Sequence, residues 1–461
     1  MGSQIDDISK APELELLPDA SSRTLVLTHP TDKEKRRTWT RNHREWGGPL
    51  SLEKYLEREP YLTTIPLARD GGITHWILST TTSPEPDQKQ QQRPVLASCE
   101  TIRKRVLVAR PGSGAQGGDG GAVVEEATGD GIGSVYTYQE FRGRSYAARM
   151  LRELGETLRT WPKSGAPANG ADGDGKKGED AVCSALWSDI GKVFYAKKGW
   201  VPFPSVHASF PPLPPTSTST STSGGRAQVP LEPITYANLA SFTSLDESLL
   251  RRRLARTAAQ TRRPAFAFAP DHDALRWHLF RESCIASLVH GGSADPSAWA
   301  AERIAKGVAA GPEGRRVWAV WARNYVTAPP DRGDDSDEAE AARGKNALYI
   351  LRLVVEGYDE DAPLEGQEGG AKEEEKEELA AAFGAVVDAA RAEAAAWGLG
   401  KVDLWNPTPL VCGLLARCGT EELPHEWVER EGESIPSLMW YGAGEDVGEV
   451  DWVASEKYCW C

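Results

Sequence analysis

Gly131-Ile-Gly-Ser-Val-Tyr-Thr-Tyr-Gln-Glu-Phe-Arg-Gly-Arg-Ser-Tyr-Ala-Ala-Arg-Met-Leu151 is the stretch on which the reading of this chain turns. Ser134 to Tyr138 has the β-branched and aromatic make-up of a strand, whereas Ala147, Leu151, Leu154 and Leu158 recur at helical spacing. Between them stands Arg142-Gly143-Arg144-Ser145. A Gly at such a bend lets backbone approach a ligand, and the free N–H groups of the next helical turn point at an anion seated there. Taken alone, this is equally an ordinary strand-turn-helix.

A second segment adds weight. Ala185-Leu-Trp-Ser-Asp-Ile-Gly-Lys-Val-Phe-Tyr-Ala-Lys-Lys-Gly-Trp200 reads as a strand followed by a helix carrying Phe-Tyr-x-x-x-Gly-aromatic. The two segments together resemble motifs A and B of the GCN5-related N-acetyltransferases. Arg142-x-x-Ser145-x-Ala147 fits the family's diphosphate loop, with Ser145 standing where the family usually has its central Gly. Arg44-Glu-Trp-Gly-Gly48, Leu186-Trp-Ser-Asp189, Ile435-Pro-Ser-Leu-Met-Trp-Tyr441 and Glu456-Lys-Tyr-Cys-Trp-Cys461 extend the similarity to the fungal lysine N6-acetyltransferases of lysine catabolism.

The resemblance implies an α/β (α+β) chain with the mixed-sheet acyl-coenzyme A N-acyltransferase fold, acetyl-coenzyme A as co-substrate, and direct transfer of acetyl to an amine. It places the pantetheine arm along Tyr136 and Thr137 and the pyrophosphate on Arg142, Gly143, Arg144, Ser145, Tyr146 and Ala147. It makes Tyr195 the general acid for the departing thiolate. A lysine ε-amine, with a pKa of about 10.4, needs a base as well. Two candidates stay open: Glu100, on a strand candidate, and the carboxylate of the terminal Cys461, by similarity to the enhanced-survival acetyltransferases. Arg44, Glu45, Trp46 and Asp189 are candidate acceptor contacts, each equally readable as fold-stabilising. Free lysine is the preferred acceptor; another amine, such as a protein lysine or a polyamine, and a non-catalytic acyl-coenzyme A-binding scaffold are the alternatives.

The chain has 461 residues, 40% of them apolar and 16 of them Trp, enough to bury more than one core. A net charge of −14 argues against nucleic acid and suits a small cationic amine, although solubility alone explains it too. The seven cysteines (99, 183, 284, 412, 418, 459 and 461) are scattered through apolar segments and read as reduced core residues; Cys459-x-Cys461 without a second pair is a poor zinc site, so no metal is expected. No apolar run is long enough for a leader or a membrane span, and Asp6 breaks the myristoylation pattern after Met1-Gly2, so a cytoplasmic enzyme is expected. Self-association stays open.

Along the chain, 24–28 reads as a strand, Asp32 to Trp46 as a helix and Ser51 as the N-cap of another helix that Pro60 ends. Residues 73–79 and 95–103 are strand candidates; 111–130 and 162–180, rich in Gly and Asp, read as insertions that pack no core. The acetyltransferase domain is thus expected over 1–210, a Pro/Ser/Thr linker over 211–229 and an α/β domain over 230–461. In the last, helices near 246 and 274–280, strands at 317–321 and 347–355, an acidic loop at 330–345, the Ala-rich helix 373–397, a strand at 402–405, a helix at 410–418 and a strand at 438–441 repeat the order of the first half. The region is either a second acetyltransferase-like fold that has lost its phosphate loop or an unrelated α/β domain.

Overall fold

A computed structural model describes residues 17–81, 93–112, 122–160, 181–213, 229–295, 305–330, 334, 336–367, 372–442 and 446–460. In chain order the elements are β1 (Leu25–Thr28), α1 (Asp32–Trp46), α2 (Leu52–Leu62), β2 (Ile73–Thr80), β3 (Ala97–Arg110), β4 (Val123–Thr137), α3 (Tyr146–Leu158), β5 (Ala181–Ser188), α4 (Val193–Ala196), β6 (Val201–Pro202), β7 (Val206–Phe210), β8 (Leu231–Thr235), α5 (Leu239–Thr261), β9 (Ala265–Phe268), α6 (His272–Val289), β10 (Ala305–Ala310), β11 (Val317–Asn324), α7 (Asp337–Lys345), β12 (Ala347–Val355), α8 (Glu373–Ala396), β13 (Lys401–Trp405), α9 (Pro409–Cys418), β14 (Glu426–Glu429), β15 (Ile435–Trp440) and β16 (Asp451–Trp452).

The strands form two sheets. The first runs β1-β2-β3-β4-β5-β15-β6, with β9 and β16 continuing from β3; the second runs β14-β7-β13-β12-β11-β10-β8. In both, one internal pair is parallel, β4 with β5 and β12 with β13, among otherwise antiparallel neighbours along these orders. Read from β1 and from β8, the two orders are the same. The mixed α/β class expected from the sequence is therefore present twice.

The halves also exchange a strand. β7 lies before residues 211–229 yet sits between β13 and β14 of the second sheet, while β15 lies near the end of the chain and sits between β5 and β6 of the first. A cut in 211–229 would divide the chain but not the sheets. Between the sheets a shared core gathers Val106, Cys183 and Ala185 from the first, Trp318, Val320 and Trp405 from the second, and Phe242, Leu275 and Leu279 from α5 and α6. Such burial of large apolar side chains contributes roughly 1.5–3 kcal/mol apiece.

Local chemistry explains the elements around the site. Thr31 caps α1 by accepting the N–H of Glu34 at 3.3 Å, and Glu34 returns the favour at the Thr31 N–H at 2.7 Å, a capping box. Ser51 caps α2 by accepting the N–H of Lys54 at 3.3 Å, as expected. On α3, Met150, Leu151, Leu154 and Leu158 bury one face against the first sheet, with Ile77, Leu78 and Trp200 in the same cluster.

Several expectations need correcting. Pro60 lies inside α2, which runs two residues further. Residues 123–130 are no core-free insertion: they lengthen β4 and pair in register with 103–110 of β3. The acidic segment 330–345 holds a helix, α7, capped by Ser336, with Asp337, Glu338 and Glu340 at its positive end. The expected insertion at 162–180, most of the linker (214–228) and Cys461 lie outside the described residues.

Candidate active site

The site is organised by the separation of β4 from β5. Their parallel pairing reaches Ile132 opposite Leu186 and stops, while β4 continues to Thr137 against β3 alone. One edge of residues 133–137 thus has no strand partner. A bulge at the same place puts Ser134 in the left-handed region, at φ +51°, and breaks the register opposite Ser98 and Glu100.

Below this opening the chain turns into α3. Gly143 has φ +79° and no atom within 4 Å of where a Cβ would stand. Ser145 is the N-cap of α3 at φ +63°, a conformation that favours Gly, and its side chain caps nothing. Among the described residues no side chain is seen to cap the first-turn N–H groups of Tyr146, Ala147 and Ala148, which is what a diphosphate requires. The Tyr146 side chain is buried, its hydroxyl donating to Pro18 O at 2.7 Å, so this residue has only backbone to offer. Arg144 is half-buried and Arg142 is exposed; Arg142 Nε donates to Thr137 O at 3.1 Å and the guanidinium stacks over Tyr136. The uncapped turn, the open Gly143 and the free strand edge fit coenzyme A; the Ser145 Cβ is the one feature that narrows the approach.

A small recess opens beside β3 and β4, lined by Lys35, Thr38, Trp39 and Asn42 of α1, Glu59 of α2, His75, Ser98, Glu100 and Ser134. The lining positions on α1 fall at i, i+3, i+4 and i+7, one helix face. Glu100 accepts a hydrogen bond from Ser134 Oγ at 2.7 Å. Burial raises the Glu100 pKa, so the carboxyl is a stronger proton acceptor than a solvated one. His75 lies 3.6 Å from Glu100, but burial holds it near a pKa of about 4, so the two form no ion pair at neutral pH. Glu59 is matched by Arg58 at 2.5 Å. Asn42 Oδ1 is buried without a hydrogen-bond partner among the described residues, an acceptor aimed into space that a ligand donor would fill.

Tyr195 sits on the single turn α4, buried in a cluster that includes Cys99, Ile132 and Leu186, the last pair of residues before the strands part. Burial, with Asp189 and Cys99 nearby, pushes its phenol up, so it holds its proton at neutral pH. Glu100 and Tyr195 thus lie on strands and a turn that converge on the end of the β4–β5 pairing.

The remaining sequence candidates fall elsewhere. Glu45 and Trp46 meet the end of β4: Tyr136 Oη donates to Glu45 at 3.2 Å and Trp46 lies edge-on to the Tyr136 ring. Arg44 donates to Gln139 at 3.3 Å. None of these lines the recess. Asp189 is exposed and accepts the N–H of Ser434 at 3.0 Å, tying the turn before β15 to the end of β5.

Cys461 lies outside the described residues, but the segment before it is well placed. Glu456 accepts the N–H of Leu353 at 3.0 Å, on the part of β12 that extends beyond its pairing with β13. The second sheet's parting is therefore filled by the tail. Lys104 of β3 donates to Cys459 O and Trp460 O at 2.7 and 2.9 Å, bringing the tail to the strand that carries Glu100. In the second half, α8 opens with Glu373, Glu374 and Glu375, which would repel a diphosphate.

Residues 207–461, from β7 onward, match the family model described as the LYC1 GNAT-like C-terminal domain. The chain belongs to this LYC1-like GNAT family. Among curated relatives, this family member is 29% identical over 177 residues to a lysine acetyltransferase of Yarrowia lipolytica, a match covering 38% of this chain and 39% of the relative. It is 26% identical over 150 residues to the uncharacterized protein YGR111W of Saccharomyces cerevisiae, covering 29% of this chain and 35% of that one. The chain thus spans little more than a third of either relative. Solved structures similar to this GNAT-like chain include a GCN5-related N-acetyltransferase from Anabaena variabilis, with a TM-score of 0.45 and 12% identity over 91% of this chain and 73% of that one. Eis1 from Mycobacterium abscessus has a TM-score of 0.37 and 11% identity over 90% and 73%.

Proposed function

We propose that this protein is an acetyl-coenzyme A-dependent N-acetyltransferase that transfers acetyl directly to an amine, the side-chain amine of free lysine in the first instance. The observation that carries the reading is the parting of β4 from β5, together with an uncapped helix start and the Glu100 recess. The lysine acetyltransferase of Yarrowia lipolytica among its relatives supports the acceptor.

Bound coenzyme supplies the activated acetyl group. The first turn of α3 would hold its diphosphate, and the free edge of residues 133–137 its pantetheine arm. Glu100 takes the proton from the acceptor ammonium, freeing the nitrogen lone pair to form the new C–N bond as the C–S bond breaks. Tyr195 gives its proton to the departing sulfur, leaving free thiol, and is reprotonated at the expense of the second proton that the nitrogen sheds on becoming an amide. Glu100 in the recess offers an ionised acceptor a carboxylate partner. The working compartment in this reading is the cytoplasm.

The test is release of free coenzyme A thiol with a panel of amines, lysine first. Turnover with a lysine-containing peptide but not with lysine would reject the acceptor and keep the reaction. No release with any amine, together with stabilisation by acetyl-coenzyme A, would leave a binding protein rather than an enzyme.

A further inference from the structure

α6 carries a cation, Arg281, that no side chain pairs directly among the described residues. Among the described residues Arg281 has no hydrogen-bond or ion-pair partner; its guanidinium stacks over the Trp460 ring, 5.3 Å from the centroid. Arg58, the neighbouring arginine, is by contrast matched by Glu59. A partly buried guanidinium without a counter-charge is unfavourable, and its planar fork of donors fits a carboxylate better than any other common anion except phosphate.

The position of Arg281 on its helix says which space it serves. One turn before it, Trp277 packs with Ile102 of β3 and with Leu62 and Ile65 at the end of α2. One turn after it, Cys284 packs with Leu50 and Tyr55. Arg281 therefore lies at the junction of β3, α2 and the tail, within electrostatic reach of Glu59, Tyr55 and Glu100. Burial, reinforced by Arg58, lowers its pKa to about 10, which still leaves it charged at neutral pH.

A free amino acid with a side-chain amine has a cation at one end and a carboxylate at the other. The recess presents Glu100 and Glu59 to the first, and Arg281, within electrostatic reach of both, has a fork of donors that no described residue fills. We propose that Arg281 recognises the α-carboxylate of an amino-acid acceptor whose side-chain amine is presented to Glu100, and so determines specificity for free amino acids over simple amines. The inference rests on the amine-acetylation reading above.

The test compares lysine with cadaverine, which is lysine without its carboxylate, in the wild-type chain, in R281M, and in R281Q should R281M fail to fold. Both kcat/KM and the rise in melting temperature on ligand addition are measured. The wild type should prefer lysine, and the lysine-to-cadaverine ratio of kcat/KM should fall by about ten- to a hundredfold on loss of the guanidinium, the range expected for one charge-assisted hydrogen-bonded pair. Equal use of both amines by the wild type, or an equal loss with both in the variant, would overturn the proposal, the latter making Arg281 a support for Trp460 alone. If no amine is acetylated but lysine stabilises the wild type more than cadaverine does and the variant erases that difference, the carboxylate site stands and the transferase reading falls. Equal stabilisation by both ligands would remove the carboxylate site whatever the turnover.

Discussion

At the scale of single residues, the site separates two proton-handling groups by environment. Tyr195 is kept protonated by burial and Glu100 is made a stronger base by the same effect, because removing water disfavours the charged form of each. Tyr195→Phe should lower kcat by about 10²–10⁴-fold, the range for loss of one general acid, with acetyl-coenzyme A affinity retained; full turnover in the thiol-release assay would remove it from the chemistry. For Glu100 the sign follows from the shift. Its carboxyl must be ionised to take a proton, and its pKa lies above the ordinary carboxylate value, so kcat/KM should fall as pH drops through that raised value. Glu100→Gln should lower the rate and abolish this acidic limb, leaving the rise set by the amine itself. A persisting limb in the pH profile of the variant would assign the base elsewhere.

At the scale of elements, the turn from β4 into α3 is where the proposed function puts the coenzyme diphosphate. Ser145 holds a left-handed backbone conformation, which costs an L-residue roughly 1–2 kcal/mol and a β-branched one more. Ser145→Val should therefore lower stability by about 1–2 kcal/mol and weaken acetyl-coenzyme A binding, while Ser145→Gly should bind at least as well as the natural chain. Melting curves and a coenzyme titration check both; indifference to Val would show that the diphosphate lies away from this turn. The helix was readable from its stripe, and the turn before it from Gly143. The length of β4 was not. Its first half, with Glu125, Glu126, Asp130 and alternate glycines, has a loop's composition, but Gly129 faces Cys183 and Val106, where an added Cβ would lie 2.9 Å from each side chain. Tertiary crowding, not strand propensity, selects glycine there.

At the scale of the whole molecule, the strand exchange makes each half incomplete alone. Without β15 the first sheet would lose the strand between β5 and β6, exposing the β5 edge; without β7 the second would lose the strand between β13 and β14. Cleavage at a protease site introduced within 214–228 should therefore leave the halves together on size-exclusion chromatography under native conditions, and residues 1–210 made alone should aggregate or misfold. Independent elution of two folded halves would show that the exchanged strands contribute little. The tail adds to the same bond between halves: Lys104 of the first half holds its last described carbonyls, while Glu456 anchors it within the second half to Arg352, which Asp246 also pairs.

By itself the sequence determined the local pieces: the strand-turn-helix around Arg142 and Gly143, the Phe194-Tyr195 turn, the helix from Asp32 and the one capped by Ser51, and the recurrence of strand and helix order in the second half. These follow from periodicity, capping and turn chemistry, which act over a few residues. Only the tertiary structure decided that β7 and β15 change places, that the tail fills the parting of the second sheet, that Asn42 and Glu59 line one recess with Glu100, and that Arg281 comes within electrostatic reach of Glu59 and Glu100. Those outcomes depend on contacts between residues hundreds of positions apart. A buried arginine on a helix looks the same in sequence as a solvated one, and burial within reach of Glu59 and Glu100 is what gives Arg281 its meaning.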